Sequence, residues 1–256
     1  MDQLKVRLAC FPLILLLSNG KLVARPPYLD VFDSLEELQI TDSGHLLPAT
    51  ESLFGILEAL LAKIDVGQAE IVIYLSGIDG DVPFHTLFRR EIGIDVVFSP
   101  GAGAMYGPDF CSRIAVGQAA ETMEGAMRPG HFEGVATVVA KLFAICRPHR
   151  AYFGEKDYQQ LTLIRQMVAD LDLGVEVQGV PIVRESDGLA MSSRNRYLDP
   201  VQREQAGALS AALLAGMYSA AQGASAALDA ASAVLDEVPA LEVDYLELRD
   251  PALGPA

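Results

Sequence analysis

Apolar residues along the chain fall into two alternating patterns, one typical of buried strands and one of amphipathic helices. Continuous apolar runs occur in LACFPLILLL, EIVIYLSG, IDVVFSP, HRAYFG and VEVQGVPIV. Apolar residues at helical spacing occur in TESLFGILEALLAKIDVG, in HFEGVATVVAKLFAIC and from Tyr158 to Asp172, before Gly174. Strands that alternate with helices predict crossover connections and a mainly parallel sheet. Ligand sites of such sheets lie beyond the carboxyl ends of the strands, which is where Gly154 falls.

The pattern changes near Glu185. The Ser- and Arg-rich loop ESDGLAMSSRNRYLDP leads to a helix with Pro200 in its first turn, then to an Ala-rich helix and a strand EVDYLELRD. We therefore expect two domains, an α/β domain over residues 1–184 and a small α+β domain over residues 185–256.

The N-terminal apolar run has two interpretations. Lys5 and Arg7 precede it, as basic residues precede the apolar part of a signal peptide, but no small-x-small cleavage site follows. The run is too short to span a bilayer. A buried first strand of the sheet is favoured over a signal segment, because strands covered on both faces read as continuous apolar runs.

Composition narrows the classes of function. The 256 residues are 51% hydrophobic and carry 34 acids against 19 bases, a net charge of -15. Such a chain is a poor binder of nucleic acid, so an anionic ligand must be held by a local cationic cluster. The three cysteines, Cys10, Cys111 and Cys146, are far apart and lack CxxC spacing. This argues against a disulfide scaffold and a zinc site and favours a cytoplasmic protein.

The segment FGEKDYQQ places charged and amide side chains where a strand passes into a helix. Gly154 would allow a tight exit from the strand, and a helix starting near Asp157 would direct its free N–H groups to the same place. Lys156 would bind phosphate, and Asp157 would cap the helix or accept from a ribose hydroxyl. Gln159 and Gln160 suit a small polar substrate. The alternative is a solvated loop with an ordinary N-cap.

A second polar cluster, MSSRNR, lies at the start of the smaller domain. Ser192 and Ser193 offer hydroxyl groups, and Arg194 and Arg196 offer guanidinium groups, a combination that suits a triphosphate. The alternative is a basic interdomain linker. No GxxxxGK[ST] motif is present, and GAGAMYG is a poor match to the dinucleotide-binding GxGxxG.

These two clusters, with their spacing, resemble the pantothenate synthetase (pantoate-beta-alanine ligase) family. The matching text is RPGHFEGVATVVAKLF, RPHRAYFGEKDYQQLTLIRQMVADL, VPIVRESDGLAMSSRNRYL and, more weakly, VDYLELRD. The resemblance implies a Rossmann-like nucleotidyltransferase domain, a small C-terminal domain and a homodimer. It also implies a reaction of MgATP with pantoate to give pantoyl adenylate, followed by attack of beta-alanine to give pantothenate. ATP and Mg²⁺ are thus the implied cofactors, with no metal site made by the protein alone.

The resemblance also assigns residues. Gly154, Glu155, Lys156 and Asp157 match the nucleotide-binding GEKD, and Val183 matches a backbone contact to adenine. Gln160 matches a pantoate-binding Gln, and His131 lies near the substrate, where it either contacts substrate or only satisfies the helix entry. The loop that closes on the phosphates is matched by Met191, Ser192, Ser193 and Arg194. Outside any motif, His85 and His149 are expected at the surface.

The N-terminal half departs from the family pattern. Family members carry a PTMGALHEGH segment with two phosphate-binding histidines, whereas here TDSGHLLPA supplies His45 and has Asp42 in place of the first histidine. The family's FVNPTQF segment has no counterpart. Either His45 and other residues rebuild the site, or the chain is a catalytically impaired nucleotide-binding homologue. A nucleotidyltransferase that activates a different acid is a third possibility.

Overall fold

The computed structural model describes residues 14–18, 70–74, 96–98, 102–192 and 194–255. His45, His85, Ser193 and the helix predicted within residues 50–67 lie outside the described residues. The described strands form one sheet in the order β3-β2-β1-β4-β5. Their bounds are β1 Ile14–Ser18, β2 Glu70–Tyr74, β3 Val96–Phe98, β4 Arg150–Gly154 and β5 Glu176–Val180.

Four of the five strands run in the same direction, and β1 is reversed. The pairs β2–β3 and β4–β5 are parallel, whereas β1 is antiparallel to both β2 and β4, with Leu16 opposite Val72 and Ala151. The predicted α/β class and the predicted strand at the N-terminus are confirmed, but a parallel orientation for that strand is wrong. An apolar run predicts a strand and carries no information on its direction.

The helices have the following bounds: α1 Ala102–Met105, α2 Glu124–Met127, α3 His131–Cys146, α4 Tyr158–Asp170, α5 Pro200–Ser219 and α6 Ala224–Asp236. Helix α3 covers the predicted residues. It ends where Arg147 adopts a left-handed conformation and Pro148 follows, because proline cannot continue a helix. Helix α4 ends before Gly174, which has a φ of 66°.

The main hydrophobic core lies between the sheet and helices α3 and α4. Residues three and four apart along α3 are buried, among them Val135, Val139 and Leu142, and they meet Phe153 of β4 and Ile164 of α4. This packing fixes the carboxyl end of β4 and the start of α4 relative to the start of α3. The candidate site is built at that junction.

The C-terminal part of the described chain contains a helix pair and an extended segment. Helix α5 begins at a capping box between Asp199 and Gln202, and α5 packs on α6 around Ala212, Ala231 and Leu235. The prediction of a strand over EVDYLELRD is wrong. No described segment pairs with these residues beyond a bridge from Arg249 to Pro255. No helix among the described residues is long and apolar enough to cross a membrane.

Candidate functional site

A cavity of about 450 Å³ lies beside the carboxyl end of β4. One wall is the start of α4, the second is the junction of α2 and α3, and the third is the segment 245–253, which ends in a turn. The lining residues are Met123, Glu124, His131, Phe132, Lys156, Asp157, Tyr158, Gln159, Gln160, Tyr245, Glu247, Arg249, Asp250, Pro251 and Leu253. Four residues that the family resemblance assigns to ligand binding, His131, Lys156, Asp157 and Gln160, thus share one cavity.

Lys156 and Asp157 lie on the short 3₁₀ turn Glu155–Asp157 between β4 and α4. Lys156 Nζ is 3.6 Å from Asp157 Oδ1, and both side chains are about one-fifth to one-quarter exposed. The Asp157 carboxylate does not cap α4, which differs from the expectation for this residue. The ammonium group is therefore held at the cavity beside an acid that partly neutralises it.

The two neighbouring glutamines of α4 have different roles. Gln159 Nε2 donates to the carbonyl oxygens of Ala119 and Thr122, at 2.7 and 2.8 Å. These bonds fix the segment before α2, where Met123 adopts a φ of 49° that side-chain-bearing residues rarely adopt. Gln159 is thus a structural tie, whereas Gln160, 4% exposed, makes no hydrogen bond through Oε1 within the described part of the chain.

An unsatisfied buried amide oxygen needs an explanation, since leaving one unpaired costs about 1–3 kcal/mol. Gln160 lies in the cavity wall, so a hydroxyl or N–H donor of a ligand would supply the missing partner. Gln159 Oε1 is likewise unpaired among the described residues, but its amide group is already fixed by its two donated bonds. Gln160 is therefore the amide that is available to a ligand.

His131 begins α3 and faces the same cavity. Burial lowers the pKa of its imidazole, and the positive charges of Arg128 and Arg194 lower it further, while Asp157 acts in the opposite direction. Arg128 contacts both His131, with Nη1 3.2 Å from Nε2, and Glu124, at 3.1 Å from Oε1.

The sequence analysis did not predict that residues of the third wall belong to the site. Arg249 Nε donates to Glu247 Oε2 at 2.7 Å, and the Tyr158 hydroxyl donates to the carbonyl oxygen of Pro251 at 3.2 Å. The only signal in the sequence was the weak family match of VDYLELRD, which gives no indication of what that segment contacts. Glu124 and Arg128 were also missed, although Arg128 opens the RPGHFEGV match.

The loop 183–192 is a hairpin fastened to α5. Met191 N–H donates to the Val183 carbonyl at 2.9 Å, and Arg184 and Ala190 form an antiparallel bridge. Arg203 of α5 donates to Glu185 at 2.6 Å and to Asp187 at 2.8 Å. Because of this charged bond, the pKa of Asp187 lies below its usual range.

Several predicted site residues lie outside the cavity lining. Ser192 is half-buried, and its Oγ accepts from the Arg194 backbone N–H at 3.3 Å. A Cβ on Gly179 would lie 3.0 Å from Glu155 Oε1, so the Glu155 carboxylate rests against β5. Gly154 has a φ of -66°, and a Cβ there would meet no atom within 4 Å. A tight exit from the strand is thus not the reason for this glycine, contrary to the expectation.

The described residues offer little for metal binding or for thiol chemistry. There, no group of three or more His, Cys, Asp and Glu is arranged to hold a metal ion. Cys111 and Cys146 are free thiols, exposed and buried respectively. His149 is exposed, as expected from its position outside the motifs.

Comparisons with known proteins identify the family of this chain. Residues 84–254 match the family model of pantoate-beta-alanine ligase. A pantothenate synthetase from Mycolicibacterium smegmatis is 68% identical over 171 residues, 67% of this chain and 54% of the relative. One from Mycolicibacterium vanbaalenii is 69% identical over 167 residues, 65% of this chain and 54% of the relative. The chain thus spans about half the length of these relatives.

A solved structure is also similar. The crystal structure of pantothenate synthetase from Thermus thermophilus aligns with a TM-score of 0.65 at 44% identity, over 72% of this chain and 73% of that one. The alignment supports the nucleotidyltransferase-like α/β fold expected from the sequence.

Proposed function

This chain belongs to the pantoate-beta-alanine ligase family, and from that premise we propose that it condenses pantoate with beta-alanine at the expense of ATP. The products are pantothenate, AMP and pyrophosphate. The observation that carries the proposal is the shared cavity of Lys156, Gln160 and His131, because these residues match the family's nucleotide and pantoate contacts.

The reaction has two steps. The pantoate carboxylate attacks the α-phosphorus of ATP and pyrophosphate leaves, which forms pantoyl adenylate. The beta-alanine amine then attacks the acyl carbon and AMP leaves. Neither step needs a nucleophile from the protein, so the side chains have to position the substrates and neutralise charge.

Lys156, Gln160 and Arg194 each have a role in the proposed reaction. Lys156 binds phosphate oxygens at the end of β4, and Gln160 accepts from a pantoate hydroxyl through its unpaired Oε1. Arg194, whose charge acts on His131, brings a further cation to the phosphates. The remaining assignments, which include Gly154, Glu155, Asp157, Val183, Met191, Ser192, Ser193 and His45, rest on the family resemblance.

Mg²⁺ would enter with the nucleotide. The ion usually keeps several waters and binds through substrate phosphates with one or two carboxylates, so no cage of protein ligands is needed. Asp157 is a carboxylate in the cavity wall that suits this mode. The bound ion would neutralise phosphate charge.

The experiment is an AMP-release assay with purified protein, MgATP, pantoate and beta-alanine. AMP formation that needs both carboxylic substrates supports the proposal, and Lys156→Ala should lower kcat/KM at least a hundredfold. Lys141→Ala is the matched control, since Lys141 lies on α3 with its Nζ 5.0 Å from the centre of the Phe110 ring, and Lys141 is not among the residues that line this cavity.

Negative results separate the alternatives. ATP binding in calorimetry without AMP release would replace the proposal with the impaired homologue. AMP release that depends on another carboxylate in place of pantoate would identify a different nucleotidyltransferase.

We further propose a cytoplasmic homodimer with a domain boundary between residues 184 and 185. Support for the cytoplasm comes from the unpaired Cys111 and Cys146, and support for the dimer comes from the family resemblance. Light scattering after size-exclusion chromatography measures the oligomeric state directly.

A further inference from the structure

Arg128 forms a bridge between two residues of the cavity wall. Its Nη1 lies 3.2 Å from His131 Nε2 and 3.1 Å from Glu124 Oε1. Arg128 and Glu124 are an i,i+4 pair with side chains 32% and 17% exposed. Both partners of Arg128 line the cavity, whereas Arg128 itself lies behind them.

The chemistry of the contact decides the state of the imidazole. A guanidinium group has only donors and stays protonated, so the ring nitrogen that faces it must accept. Nε2 of His131 is therefore unprotonated, and in the neutral ring the proton is on Nδ1. Nδ1 makes no hydrogen bond to the described residues, which leaves its N–H available to a ligand.

We propose that Arg128 is a positioning residue that fixes His131 as the neutral Nδ1–H tautomer, so that the ring donates to a carboxylate or phosphate oxygen. A histidine held in this state acts as a hydrogen-bond donor and is not a base through Nε2. Glu124 completes the arrangement by binding the same Nη1 and orienting the guanidinium.

On balance, burial and the surrounding charges also favour the neutral form of the ring. Burial, Arg128 and Arg194 all lower the pKa of His131, and only Asp157 raises it among the groups that influence the ring. Asp157 is itself paired with Lys156. Protonation of the ring would set a second positive charge directly against Arg128.

The test is NMR of the ligand-free protein with ¹⁵N-labelled histidine, which reads the tautomer and the pKa of each ring. His131→Gln identifies the signals of His131 among the four histidines. The wild type should show protonated Nδ1 and unprotonated Nε2 at pH 7.5. Arg128→Met should shift the ring toward the Nε2–H tautomer and raise its pKa, and Arg128→Lys should restore the wild-type pattern.

Two further variants are controls for the effect of Arg128 on His131. Arg113→Gln removes another arginine that pairs with the first turn of α3, through Glu133 at 3.6 Å, and should leave His131 unchanged. Glu124→Gln should not raise the pKa of His131, since the positive charge of Arg128 remains. An Nε2–H tautomer in the wild type, or an unchanged ring in folded Arg128→Met, would overturn the inference. If Arg128→Met does not fold, the wild-type and Arg128→Lys spectra still decide it.

The inference rests on the proposed function only for the identity of the ligand. Pantoate is therefore added as a separate titration, with a shift of the Nδ1–H signal as the expected result. A correct tautomer without a pantoate shift would refute pantoate as the ligand of His131 and leave the role of Arg128 intact.

Discussion

The hydroxyl group of Tyr158 donates to the main-chain carbonyl of Pro251, 3.2 Å away and 93 residues along the chain. This bond joins the first residue of α4 to the turn at the end of the third wall of the cavity. Two parts of the chain that line the cavity are thereby held together.

Tyr158→Phe should loosen this wall while leaving the core intact. The ring remains and only one hydrogen bond is lost, so the free energy of unfolding should fall by about 0.5–1.5 kcal/mol. Hydrogen exchange should increase in residues 245–253 and stay unchanged in α3. Tyr218→Phe, at a site 79% exposed on α5, is the control. Equal exchange in the Tyr158→Phe variant and the wild type would show that the bond does not hold the wall.

Replacing each of the two neighbouring glutamines by leucine should have opposite effects. Gln159→Leu removes both bonds to the segment before α2 and should cost about 1–3 kcal/mol of stability for each carbonyl left unpaired. Gln160→Leu removes an unsatisfied oxygen and should keep or increase stability, but should weaken pantoate binding at least tenfold. Urea unfolding and pantoate calorimetry measure the two effects. A stability loss for Gln160→Leu equal to that of Gln159→Leu would contradict this division of roles.

Two glycines in neighbouring helices offer a matched pair of substitutions. A Cβ on Gly125 would lie 1.8 Å from the Ala120 carbonyl oxygen, whereas a Cβ on Gly134 would meet nothing within 4 Å. Gly125→Ala should therefore cost about 3 kcal/mol through displacement of the backbone. Gly134→Ala, within α3, should raise stability by up to about 1 kcal/mol, because alanine favours the helix. Thermal unfolding of both variants tests the comparison.

The stability of the protein should depend on His131 at acid pH. Because its folded-state pKa is lowered, mainly by burial, the unfolded state binds more protons. The contribution is present above the ordinary histidine pKa of about 6.5 and is lost as the pH falls through the lower folded-state value. His131→Gln should flatten this part of the stability curve. Parallel curves for His131→Gln and the wild type would contradict the prediction.

The buried thiol should be unreactive in the folded protein. Burial raises the pKa of Cys146 to about 12, so at pH 8 only about one thiol in ten thousand is ionised. In a Cys10→Ser, Cys111→Ser background, a chromogenic disulfide reagent should react with Cys146 only after urea is added. Rapid labelling without urea would show that α3 opens readily.

The local pattern of apolar residues was sufficient to predict some helices and strands and not others. The limits of α3 follow from its apolar spacing and from Pro148, and β4 follows from its apolar run before Gly154. The reversed direction of β1 could not be predicted, because direction depends on the strands that pair with it. The strand expected after Glu242 failed for the same reason, since no described segment completes its hydrogen bonds.

The candidate site was predictable only where its residues are close in sequence. Lys156 and Gln160 lie on one strand-to-helix connection, so their proximity follows from the fold. Nothing in the pair Gln159–Gln160 shows which amide is used by the backbone, because that depends on the position of Ala119. The contribution of Arg249 depends on a contact between distant parts of the chain and has no local signal.

The third wall of the cavity comes from a part of the sequence far from the other two walls, and this matters while the protein is being translated. Residues 123–160 leave the ribosome well before residues 245–253, and α5 and α6 lie between them. In a nascent chain, Lys156, Gln160 and His131 therefore lack the third wall of their cavity until residues 245–253 emerge. Small molecules can be enclosed only once translation has passed that segment.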